Sequence, residues 1–154
     1  MLIAIAITLH LLAALVWVGG MFFAYMALRP AAASVLEPPL RLPLWEATFQ
    51  RFFFWVWIAI ALLLVTGYWL VLGPYGGFAE ARPFIHTMNA IGLLMMAIYG
   101  HLYFVPFKRM RRAIAVQDWP EAGRNLNQIR IIVAVNLVLG LITVVVAVAG
   151  RYVG

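Results

Sequence analysis

Three side chains in this sequence combine a metal-ligating lone pair with a proton that moves near neutral pH: His10, His86 and His101, each inside a long apolar run. An ionisable group in hydrocarbon is costly and rare, so each is a candidate site residue, and imidazole is a ligand for metal ions and haem iron alike. Cysteine is absent, which removes disulfides, thiolate catalysis and cysteine-held iron–sulfur clusters. Gly19-Gly20 falls inside an apolar run and Gly76-Gly77 in a short turn with no strand before it, so neither forms a nucleotide-binding loop.

The elements that must position these histidines follow from composition. A hydrophobic fraction of 66% with 10% charged residues exceeds what a soluble core hides, since about half of an average globular chain is apolar. Four apolar runs, roughly 2–28, 52–72, 84–107 and 129–150, each reach the ~20 residues that carry a helix across ~30 Å of hydrocarbon. The expected fold is all-α: one integral membrane domain over 1–154, with four transmembrane helices in an antiparallel bundle. The first run is too long for a removable signal peptide and lacks a basic leader. Arg29-Pro30 and Gly73-Pro74 are expected to close the first two helices, Arg82-Pro83 to open the third and Pro106 to close it. The connection 108–128 reads either as a surface helix broken at Pro120 or as a solvated loop.

Basic residues set the expected orientation. Lys108, Arg109, Arg111, Arg112 and Arg124 follow the third helix and Arg29, Arg41 and Arg51 surround the first connection, whereas the second offers only Arg82. The basic side is expected to be cytoplasmic, leaving both termini outside, in the periplasm for a bacterial inner (cytoplasmic) membrane. The net charge of +6 is thus a topology signal, and no nucleic-acid partner is expected.

Depth separates the histidines. His10 lies ~12 Å into the first helix and His86 near the outer mouth of the third, while His101 lies ~22 Å beyond His86. His10 and His86 can therefore share a ligand near the outer face, and His101 cannot join them. On the His10 face lie Ala13, Ala14, Trp17, Met21 and Ala24; on that of His86, Asn89, Ala90, Leu93, Ala97 and Gly100. Both small-rich faces are expected to point inward. Thr66 and Gly67, with Asn136, Gly140 and Thr143, are candidate partners behind the ligands or plain interhelical contacts. Met21, Met88, Met95 and Met96 offer soft thioethers for copper(I) or a haem axial position, although core filling is the commoner role.

The set His10, Trp17-Val18-Gly19-Gly20, Arg29, His86 and Tyr99-Gly100-His101 resembles the CopD superfamily of bacterial membrane proteins, in particular its small four-helix members related to HemJ-type protoporphyrinogen oxidases. His10, Trp17, Gly20, Arg29, His86 and His101 match the HemJ-like pattern, whereas Met88 stands where that pattern has a lysine. The resemblance implies kinship with b-type cytochromes for small members and with copper uptake or resistance for larger ones.

The leading expectation is a haem b protein. His10 and His86 would hold the iron, Trp17 would pack on the porphyrin and Arg82 would meet a propionate, with electrons passing to a quinone or a periplasmic redox partner. A copper-handling protein of the CopD type is the first alternative, with His10, His86 and Met88 as ligands and His101 as a weaker candidate. A HemJ-like membrane oxidoreductase and a cofactor-free structural subunit are the others. The small-residue faces would permit a homodimer within the lipid bilayer.

Overall fold

Each apolar run folds as a helix because hydrocarbon supplies no hydrogen-bond partners, so every backbone amide must be satisfied along its own segment. The computed structural model describes residues 1–153. Its four long helices are α1 (Leu2–Val35), α2 (Pro38–Leu72), α3 (Pro83–Ala115) and α4 (Trp119–Tyr152). All four are long and apolar enough to cross a membrane, and no strand occurs among the described residues. The protein is a multi-pass membrane protein whose surface is correspondingly apolar, with Leu15, Phe23, Val65 and Val145 all turned outward.

Short joints make neighbouring helices antiparallel. Leu36 and Glu37 join α1 to α2, and residues 116–118 join α3 to α4, with Gln117 at φ 57° in the left-handed region. These two joints mark the connection end of the bundle. The termini and the 73–82 loop mark the terminal end. α1 packs chiefly on α2 and α3 on α4, and α4 also touches α1 and α2.

The helices are longer than the apolar runs at the connection end, and prolines explain how. Pro30 does not close α1, because a π-turn over Ala24–Leu28 widens the backbone just where the proline ring meets the preceding turn. Pro106 likewise sits inside a π-turn, Tyr103–Phe107, and α3 runs on to Ala115. The expected 108–128 connection therefore shrinks to residues 116–118, with Pro120 in the first turn of α4, where its missing N–H has no helical partner to lose. α2 starts well before residue 52, with Pro38 and Pro39 opening it and Leu42, Trp45, Phe49 and Phe53 burying one face at helical spacing.

The core fills the connection half. Val56, Met110, Ala122 and Ile129 are fully buried. Around them Phe49, Phe53, Trp57, Tyr99, Tyr103 and Phe107 interlock edge to face, with centroid separations of 4.9–6.2 Å. The Tyr99 hydroxyl donates to the Phe53 carbonyl at 3.1 Å, tying α3 to α2.

Candidate functional site

The floor of the site is set by Gly140 on α4. A Cβ there would stand 2.8 Å from Val18 Cγ2 and 3.2 Å from Met95 Cε, so a larger residue would have to push Val18 aside where the side chains of α1 and α3 meet α4. From the floor toward the terminal end the helices leave a cavity of about 310 Å³, lined by all four of them. Its wall is apolar apart from His10, Asn89, Thr143, two tyrosines and Arg151.

His10 is held from behind. Its Nδ1 lies 2.8 Å from Thr66 Oγ1 on α2, and the Thr66 hydroxyl donates to the Leu62 carbonyl at 2.5 Å. The single hydroxyl proton is thereby committed to Leu62, so the threonine oxygen accepts and Nδ1–H donates. That tautomer leaves Nε2 unprotonated, and Nε2 has no protein hydrogen-bond partner among the described residues. Gly67 makes room for the ring, since a Cβ at that position would lie 3.1 Å from His10 Cε1 and 3.6 Å from Nδ1. One nitrogen anchored to a second helix and the other left with its lone pair is the arrangement that orients a metal-binding imidazole.

The facing wall is α3, which presents Met88, Met95 and Met96. Their register relative to His10 follows from the floor. Met95 meets Val18 at Gly140, and α1 and α3 run in the same direction. Eight residues back along α1 is His10 and seven back along α3 is Met88, each a step of roughly 11–12 Å at 1.5 Å per residue. Met88 and His10 thus share a level, with Met95 and Met96 about two turns deeper.

The other predicted residues occupy different places. Trp17 is buried on the cavity floor, edge-on to Tyr99 at 6.0 Å between centroids. His86 is exposed and absent from the cavity wall, with its ring 5.8 Å from that of Phe78. The expectation that its face points inward holds only in part: Asn89 and Leu93 line the cavity with Met88, Gly92 and Met95, while His86, Ala90 and Ala97 lie on the exposed side. The His10 face does point inward, with Ala13, Trp17, Met21 and Ala24 all buried. Arg82 is the exposed N-cap of α3, outside the cavity lining, and His101 is exposed. The described residues contain no group of three or more His, Asp or Glu side chains gathered for a metal. Arg151, which no sequence pattern singles out, also lines the cavity.

Residues 46–149 match the family described as Copper resistance protein D. The chain belongs to the CopD family. No curated protein and no solved structure gives a match. The CopD match takes in Thr66, Gly67, Met88, Met95, Met96 and Gly140, while His10 lies ahead of it on α1.

Proposed function

We propose that this protein handles copper(I) in the membrane, binding the ion in the terminal-end cavity through His10 Nε2 and the Met88 thioether, with Met95 and Met96 as deeper soft donors. The observation that carries this reading is the Thr66-anchored His10, which has no hydrogen-bond partner at Nε2 and lines a cavity with methionines in the facing wall. Thioether sulfur selects copper(I) over harder ions, imidazole accepts it, and a water-poor apolar surround suits a singly charged soft cation. CopD membership supports the same ion. The proposed unit is the single four-helix domain, in a bacterial inner membrane, with the basic connection end cytoplasmic and the cavity facing outward.

Haem b has weaker support. Arg151 on the cavity wall suits a propionate, but His86 stands outside the wall that holds His10. About 310 Å³ is also at the bottom of the ~300–1,000 Å³ range for drug-sized ligands, and a porphyrin is larger than these.

The test is copper(I) competition against a chromogenic chelator, using the purified chain in detergent. Wild type should bind one equivalent, His10→Ala should lose at least about 100-fold in affinity, corresponding to ~2.7 kcal/mol, and His86→Ala should bind like wild type. Copper affinity unchanged in His10→Ala, or a purified protein carrying iron porphyrin with a Soret band and no copper, would overturn the proposal.

A further inference from the structure

At the connection end, three arginines from three helices come together without a carboxylate. Arg29 follows the π-turn of α1, Arg41 lies in the second turn of α2 and Arg130 lies on α4; all three are half-buried, and the charges of Arg29 and Arg41 both act on Arg130. Tyr25 supports the first of them, its ring 4.9 Å from the Arg29 guanidinium carbon. The Nε–H groups of Arg41 and Arg130 are buried and have no hydrogen-bond partner. Trp45, one turn after Arg41 on the same face of α2, also has a buried, unpartnered Nε1–H.

None of the five carboxylates of the chain pairs with these arginines. Glu46 pairs with Arg111 at 3.2 Å, Glu121 pairs with Arg124, and Asp118 accepts the Glu121 backbone N–H at 3.1 Å. Glu37 is exposed at the α1–α2 joint and Glu80 is exposed in the loop at the opposite end. Like charges gathered with buried donors unmet are costly, because each desolvated N–H forfeits its water without replacement. A group that supplies negative charge and several acceptor oxygens removes both costs, and the guanidinium fork matches phosphate in this way.

We propose that Arg29, Arg41 and Arg130 form a binding site for a phosphate oxyanion at the connection end, supplied by the headgroup of an anionic phospholipid. The position favours lipid over a soluble source. α1 has 34 residues where ~20 cross the hydrocarbon, so Arg29, six residues before its end, falls near the level of the headgroups. Basic recesses between transmembrane helices recognise anionic headgroups in this way. The site is separate from the copper cavity and does not depend on it.

The experiment uses the full chain purified in a neutral detergent. It is titrated with phosphatidylglycerol, with phosphatidylcholine of the same acyl chains and with inorganic phosphate, reading Tm and bound lipid by native mass spectrometry. Phosphatidylglycerol should raise Tm and remain bound where phosphatidylcholine does not. Arg41→Gln and Arg130→Gln should each weaken its apparent affinity at least tenfold. Without lipid, both variants should be at least as stable as wild type, because they relieve the repulsion; a purely structural role predicts the opposite. If the glutamine variants do not fold, Arg41→Lys and Arg130→Lys keep the charge but lose the fork, and should still reduce the phosphatidylglycerol preference. An inorganic phosphate shift matching that of the lipid would support the oxyanion site and reassign its source to soluble phosphate. Equal responses to the two lipids with none to phosphate, or variants that retain the wild-type response, would overturn the proposal.

Discussion

The two halves of this bundle are built from the same four helices to different ends. Toward the connection end, Phe49, Phe53, Trp57, Tyr99, Tyr103 and Phe107 close the space between helices ring against ring. Toward the terminal end, α3 over Pro83–Leu102 makes its close backbone approaches to α4, and methionine, glycine and small aliphatic side chains leave a cavity facing α1 and α2. In lipid the hydrophobic effect gives helices little reason to associate, so cohesion comes from packing and interhelical hydrogen bonds. The difference therefore divides the labour: the aromatic half holds the bundle together, and the other half leaves a cavity with His10 in its wall.

The largest effect is expected in the aromatic half. Tyr99→Ala removes a buried ring that touches Trp17, Phe53, Trp57 and Tyr103 along with its hydrogen bond to Phe53, and should cost about 3–5 kcal/mol in reversible unfolding in mixed micelles. A cost below about 1 kcal/mol would show that cohesion lies elsewhere. At the open end, Thr66→Val keeps shape and removes the acceptor that fixes the His10 tautomer, so copper(I) affinity should fall about 10–100-fold with Tm almost unchanged. If Tm falls and affinity does not, Thr66 serves packing rather than the site. The smallest effect belongs to the surface: Glu46→Gln breaks the exposed pair with Arg111 and should change stability by only about 0–1 kcal/mol, diminishing further in salt.

The four crossings were legible in the sequence because a run of apolar residues long enough to span hydrocarbon has few other uses. The helix ends at the terminal end, near Leu2, Leu72 and Pro83, were legible too; those at the connection end were not. Pro30 and Pro106 read as terminators under the rule for regular helices, and each instead sits at a π-turn that accommodates the ring. The start of α2 was hidden because Arg41, Glu46, Gln50 and Arg51 interrupt the apolar run, although Leu42, Trp45 and Phe49 keep helical spacing between them. Phase placed His10 and its small-residue face inward, and depth singled out Thr66 and Gly67 in the outer half of the second helix. Phase failed for His86 itself: of the stripe expected with it, Asn89 and Leu93 reach the cavity wall, but His86, Ala90 and Ala97 fall on the exposed side, and Met88, Met95 and Tyr99 mark the inward one. The arginine cluster was invisible for a different reason. Its members come from distant points in the chain, and each alone reads as an ordinary charge at a membrane boundary.

The π-turn in α1 carries one consequence for this geometry. A single wide turn is equivalent to one residue inserted into a regular helix, and at 3.6 residues per turn an insertion rotates everything beyond it by ~100°. Ala24–Leu28 therefore acts as a phase shifter between the two halves: Ala13, Trp17 and Met21 keep one azimuth, while Arg29 is turned to another. Shortening that turn by one residue would leave α1 just as apolar and nearly as long, yet would swing the arginine away from its present heading, so the register of one helix dictates what the far end of the bundle can hold.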